Sequence, residues 1–317
     1  MNKIKIISVK NLWLLITDST KEFIEDKGVK LSAALAYYTI FSIPPLMIII
    51  TSVTGLFYGE EAISGRIFGQ IKGMVGDKAA LQIQEAIQNT VIDHNSWWAN
   101  ILSIAALILG ATGVFVEIQD SINIIWGLKA KPKKGLIKMI INRLISFSMI
   151  ISIGFLLLVS LVLNALLDIF NAQLQSLFPE TAFYAFYIIN ILLILFVITL
   201  LFAIIFKVLP DAKIKWKSVL WGAFFTAILF LLGKMAIGFY LGSSSIGSVY
   251  GAAGSVIIII VWVYYSAIIL FYGAEFTQVH AQRFGTAIQP NKYAVFIVNK
   301  EIELDKSGKT GNANFLK

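Results

Sequence analysis

Six apolar stretches leave this chain few ways to fold. They run approximately over Leu31 to Phe57, Ala99 to Trp126, Leu144 to Leu167, Phe183 to Phe206, Trp216 to Leu241 and Val249 to Ala274. Each is long enough to cross about 30 Å of hydrocarbon at about 1.5 Å per helical residue. Inside hydrocarbon a backbone must satisfy its own N–H and C=O groups, and runs that are apolar on every face do so as helices. A β-barrel would instead show segments of about ten residues with alternating polarity. The expected fold is therefore all-α, a polytopic membrane protein of six transmembrane helices. With 58% hydrophobic and 14% charged residues and a mean hydropathy of +0.81, a water-soluble division into core and surface is excluded.

The basic residues orient the threading. Of 26 Lys and Arg residues, 22 fall in residues 1–30, in the second connection (127–143), in the fourth (207–217) and after Ala274. The first connection, Tyr58 to Trp98, holds only Arg66, Lys72 and Lys78 against five acids, the third has no base and the fifth is uncharged. Basic loops are retained in the cytoplasm, so both termini are expected there. The net charge of +8 is then a topology signal, helped by anionic headgroups on the cytoplasmic face, rather than a nucleic-acid footprint. Without cysteine there is no disulfide framework or thiolate metal site.

Three parts follow: a cytoplasmic N-terminal segment (1–30), a membrane domain (31–282) and a polar cytoplasmic tail (283–317). In the first part Val9, Leu12, Trp13, Ile16, Thr20 and Phe23 recur at helical spacing, which predicts an amphipathic helix on the inner membrane surface. In the first connection Ile63, Ile67, Ile71 and Met74, then Ile83, Ile87 and Val91, predict two amphipathic helices on the outer face, the second capped by Asp77. Pro44 and Pro45 fall mid-span, remove two amide donors and predict a kink or a helix break.

Charged residues within spans are expensive and are the first functional candidates. Glu117, Gln119, Asp120 and Asn123 cluster in the cytoplasmic half of the second span, below Gly113, and Glu275 ends the sixth at an expected similar depth. Two readings stay open: a belt of ion pairs fixing helix ends, or a proton or cation path at the floor of a substrate cavity. Lys234, isolated in the outer third of the fifth span, either snorkels to the headgroups or contacts an anion. Gly247, Gly251 and Ser255, four apart, with Gly254 among them, mark close helix packing.

Hydrolytic chemistry has little to build on. The only histidines, His94 and His280, are expected on opposite sides of the membrane and so cannot share a metal or a triad. No enzyme activity, cofactor or metal is expected, and the expected partners are membrane lipids rather than nucleic acid.

Four stretches resemble the YihY/BrkB membrane proteins. They are Leu31 to Ser42 with the following prolines; Gly110 to Gly127; Leu209-Pro210-Asp211 with the Lys-rich run and Trp216; and Tyr240 to Thr277, with Tyr250 to Ser255, Trp262 to Ser266 and Gly273-Ala274-Glu275-Phe276. The resemblance covers roughly residues 20 to 285. It implies a bacterial six-span inner-membrane protein whose members have carried ribonuclease and virulence-factor labels. The ribonuclease label finds neither a metal-ligand cluster nor a large cytoplasmic domain in this sequence. The expectation is a transporter of a lipid-like or amphiphilic envelope component, or else a scaffold of envelope assembly.

Overall fold

A computed structural model describes residues 9–42, 113–130, 181–243, 254–285, 287–291 and 294–297. The helices are α1 (Val9–Glu25), α2 (28–42) and α3 (113–125), α4 (Thr181–Val208), α5 (Trp216–Ser243) and α6 (Gly254–Phe284). Between and after them lie short strands β1 (Leu128–Ala130), β2 (Ala212–Lys213), β3 (Gln289–Pro290) and β4 (Ala294–Phe296). Pro44, Pro45, the helices expected in the first connection, the third span, His94, Gly247 and Gly251 lie outside the described residues.

Three described helices are long and apolar enough to cross a membrane: Ile188–Val208, Trp216–Tyr240 and Val256–Phe284. They coincide with the last three apolar stretches. Their outer faces carry exposed Ile188, Leu192 and Phe196 on α4 and Leu232, Met235 and Phe239 on α5, a perimeter that suits lipid rather than water. The sixth span departs from expectation, because α6 continues ten residues beyond Ala274. Charge at Glu275 ends a hydropathic window but not a helix, and the extension is held by α1 on one side and α5 on the other.

Inside a bilayer no hydrophobic gain drives helices together, so close van der Waals contact must do it. Helices α5 and α6 achieve it by exchange of small residues. A methyl at Gly222 would overlap the Thr277 side chain and come within 3.1 Å of its Cα, and a methyl at Gly273 would overlap Thr226. Each threonine hydroxyl donates to the carbonyl of the glycine four residues earlier on its own helix, Thr226 to Gly222 and Thr277 to Gly273, both at 2.7 Å. Both threonine hydroxyls are thus satisfied within the apolar seam. The antiparallel register continues outward, where Gly233 makes room for the Tyr265 hydroxyl.

On the other face of α5, buried Ala223 and Ala227 join Phe202, Ala203 and Phe206 of α4 and Leu270 and Phe271 of α6 in one core. Helix α3 completes it through Ile118, Ile122, Ile125 and Trp126. It ends at Gly127, whose φ of 64° is the left-handed conformation that closes helices, with its N–H donating to Ile124 O at 2.9 Å. The fully buried Trp126 donates its indole N–H to Ala274 O at 3.1 Å, tying the end of α3 to α6.

The four basic segments meet at one end of the bundle. Strand β1 pairs antiparallel with β4, Leu128 opposite Phe296, and β2 with β3, Ala212 opposite Pro290. The second and fourth connections are thus laced to the chain after α6. Arg283 near the end of α6 is ion-paired with Asp18 of α1, bringing the N-terminal segment to the same end.

Helix α1 lies along α6, but not on the stripe expected from its sequence. Its inward face is Leu15, Ser19 and Phe23, all buried, while Leu12, Trp13 and Ile24 stay exposed. The reason is local: Leu15 fits between Phe276 and Val279, the Phe23 and Tyr272 rings meet edge to face at 5.7 Å, and the Tyr272 hydroxyl donates to Ile16 O at 3.2 Å.

Candidate functional site

Two polar arrangements sit at the basic end, and they divide the residues that the sequence groups together. In the first, buried Asn123 and Gln119 of α3 turn toward Asp211, in the connection after α4. The Asp211 backbone N–H donates to Asn123 Oδ1 at 2.9 Å, and Asn123 Nδ2 donates to Asp211 Oδ2 at 3.2 Å. Gln119 Nε2 adds a longer bond of 3.5 Å to Asp211 Oδ1. One asparagine side chain thus serves an amide and a carboxylate at once, which fixes the Leu209-Pro210-Asp211 turn against α3. Leu209 and Ala212 are buried on either side. This is a structural knot, and it accounts for Asn123 without chemistry.

The second arrangement is the seam between α1 and α6. Glu275 is 0% exposed, and neither carboxyl oxygen meets a hydrogen-bond donor among the described residues. The charged groups nearest to act on it are acids too, Asp26, just past α1, and Glu22. Burial lifts the Asp26 carboxyl above the usual carboxylate range, nearby Glu275 opposes the lift, and neighbouring Glu25 adds to it. Glu22 is raised as well, first by partial burial and then by repulsion from Glu25 and Asp26.

The turn that delivers Asp26 is itself specified. Asp26 N–H closes α1 by bonding Glu22 O at 2.8 Å, and Lys27 adopts a φ of 56°, the left-handed step between α1 and α2. Gly28 follows because any side chain there would collide with the Phe23 ring. Nearby, Ser19 Oγ, Gln278 Oε1 and His280 Nδ1 are also buried without a partner among the described residues.

The remaining candidates are dispersed. Glu275 lies level with the end of α3, since Ala274 is bonded to Trp126; Glu117 is nine residues up α3, about 13 Å along the axis at about 1.5 Å per residue. The expected level of Glu275 is that of Asp120, which stands six residues up α3 from Trp126, about 9 Å along the axis at about 1.5 Å per residue. Glu117 is half-buried and accepts a long bond of 3.5 Å from Ser121, and Asp120 is exposed. Lys234 is exposed between Leu232 and Met235 on the lipid-facing side of α5, the position of a snorkelling lysine. A Cβ at Gly113 would stand 3.9 Å from Tyr38, an ordinary contact and the nearest among the described residues. Gly254 and Ser255 open α6.

Sequence reasoning missed Asp26 and Asp211 as site-forming groups. Asp26 sits among alternating charges that look solvated, and nothing local shows that α1 docks on α6. Among the described residues no group of three His, Asp or Glu side chains is placed to hold a metal ion.

The sequence matches the family model described as Virulence factor BrkB over residues 19–295. It is 29% identical over 272 residues to "UPF0761 membrane protein NTHI0384" of Haemophilus influenzae (strain 86-028NP), covering 85% of this chain and 95% of that one. It is 27% identical over 281 residues to a "UPF0761 membrane protein" of Saccharophagus degradans, covering 86% of this chain and 60% of the relative. A Pseudomonas paraeruginosa protein, "UPF0761 membrane protein PSPA7_4558", is 26% identical over 258 residues, covering 80% and 59%. The chain thus spans about three fifths of the latter two relatives. No solved structure matches.

Proposed function

Because the chain belongs to the BrkB family of bacterial inner-membrane proteins, we propose that it translocates a lipid-like or amphiphilic envelope component and that a carboxyl group of the helical bundle takes up and releases a proton in the cycle. The observation that carries this reading is Glu275, fully buried in a membrane helix and facing no donor among the described residues. Such a group is costly to keep in an apolar bundle, and its presence is accounted for by use. Glu117, half-buried farther along α3, is the second carboxyl on the same reading. On this reading the basic end, where α1, β1, β2 and the chain after α6 meet, faces the cytoplasm, which the positive-inside rule supports, and the activity is transport rather than hydrolysis.

The test is reconstitution in vesicles of phosphatidylethanolamine and phosphatidylglycerol carrying a short-chain fluorescent phospholipid. Wild-type protein should move the probe between leaflets faster than empty vesicles, with Glu275→Gln reducing the excess rate at least tenfold and Glu117→Gln reducing it less. Equal rates with and without protein, across probes of differing headgroup, would remove the translocation reading.

A scaffold reading has its own observation. The Asn123–Asp211 knot and the two strand pairs knit the basic end into a platform suited to docking. Crosslinking in intact cells that recovers one protein partner repeatedly, together with inactive vesicles, would favour it.

A further inference from the structure

We propose that the start of α5 holds one anionic phospholipid of the bilayer, its phosphate met by Lys213, Lys215 and Lys217 and its glycerol and first methylenes lying against Trp216 and Trp221. This goes beyond the translocation reading and does not rest on it. The lipid is a resident of the outer surface of the bundle, not its cargo.

Two kinds of backbone bring the three lysines to one place. From Ala212 to Lys215 burial alternates, with Ala212 and Ile214 buried and Lys213 and Lys215 exposed. Both lysines therefore leave the segment on its outer side. The pairing of β2 with β3 fixes that side, Lys213 opposite Gln289. Helix α5 begins at the next residue after Lys215, and its exposed Lys217, Trp221, Phe224 and Ile228 recur at helical spacing along one stripe. Trp216 and Leu220, also exposed, flank it. The intervening Gly222, Ala223, Thr226 and Ala227 are buried against α4 and α6, so the stripe looks outward.

Along that stripe the chemistry changes in the same order as along a phospholipid. Cations come first, then two indoles, then Phe224 and Ile228, the last about 16 Å from Lys217 at about 1.5 Å per residue. Lysines are drawn to anionic headgroups, indoles settle at the headgroup level, and apolar side chains lie beside acyl chains. The charge is also one-sided, since the chain carries no Asp or Glu from Ala212 to Ala274. Charge complementarity thus selects an anionic headgroup over a zwitterionic one.

The indoles are held in place by their neighbours. Lys207, near the end of α4, donates its ammonium to Ile214 O and stands over the Trp216 ring, 5.5 Å from the centroid. That contact fastens the ring across the connection, while 52% of the residue stays exposed. Trp221 is set against the His280 ring of α6 at 6.4 Å and is 45% exposed. Aromatic groups positioned beforehand lose little conformational freedom when a lipid settles on them.

The experiment is native mass spectrometry of the full chain, released from detergent micelles carrying equal amounts of phosphatidylglycerol and phosphatidylcholine. Wild type should retain one phosphatidylglycerol several-fold more often than one phosphatidylcholine. The triple variant Lys213→Gln, Lys215→Gln, Lys217→Gln should lose that preference. A second triple variant, Lys10→Gln, Lys21→Gln, Lys129→Gln, removes as much charge from exposed positions of α1 and β1 and should keep it. Trp216→Ala with Trp221→Ala should lower retention of both lipids. Glycerol 3-phosphate, which has the phosphate without acyl chains, should fail to displace the lipid even in large excess. No preference in wild type, or a preference lost equally in the two lysine variants, overturns the site. Retention unaltered in the tryptophan variant overturns the place of the indoles, and displacement by glycerol 3-phosphate would make this a site for soluble anions and overturn the lipid assignment.

Discussion

Asn123 and Asp26 show how differently two polar side chains at one end of a bundle are used. Asn123 is satisfied on both sides of its amide, by the Asp211 N–H and by the Asp211 carboxylate. Replacing it with alanine strands a backbone donor against α3, and Asn123→Ala should cost about 1–3 kcal/mol, read as a lowered thermal midpoint in detergent. Asp26 and Glu22 are held the other way, with burial and like charge raising both above their ordinary range. A carboxyl whose folded value lies above its unfolded one adds stability that is fully present below the unfolded value and is lost as pH rises through the folded value. Docking of α1 on α6 should therefore be tightest at mildly acid pH and loosen as pH rises. Hydrogen exchange of the α1 amides, corrected for the intrinsic rate, should show protection falling with pH in wild type and a flatter profile in the Glu22→Gln, Asp26→Asn double variant. Protection that rises with pH would contradict this assignment.

Among the elements, the α5–α6 seam depends on two glycine–threonine exchanges, with Gly233 opposite Tyr265 farther out. Gly222→Val and Gly273→Val push branched side chains into Thr277 and Thr226 and should cost about 1–3 kcal/mol each by overpacking. Gly113→Ala meets, among the described residues, only a contact of 3.9 Å and should leave the thermal midpoint within about 1 °C, a shift matching only a few tenths of a kcal/mol. The apolar stretches made α4 and α5 legible to within two residues, because length and hydropathy alone decide a membrane helix. The far end of α6 was not legible, since Glu275, Gln278, His280 and Arg283 read as the edge of the membrane while tertiary contacts carry the helix past them. The seam was half-legible: Gly222 with Thr226 and Gly273 with Thr277 are each small residues four apart, the same signal read at Gly247 and Gly251, but only the register of two distant helices pairs them. The nearness of Asp26 to Glu275 left no local trace, because the two are 249 positions apart.

For the molecule as a whole, charge pattern and architecture agree on one end. Residues that alternate along the chain as basic segments are brought together by β1 with β4, β2 with β3, and Asp18 with Arg283. The short strands draw on Val295, Phe296 and Ile297, residue types that favour extended backbone, in a tail whose polarity otherwise conceals them. At that end the only fully buried carboxyl among the described residues is Glu275. The central claim, that translocation is linked to a proton held there, is tested most directly by imposing a pH gradient on reconstituted vesicles and following the initial rate of fluorescent phospholipid movement. Wild type should respond to the gradient several-fold and Glu275→Gln should not respond. A rate accelerated by the protein but indifferent to the gradient in both would contradict the account.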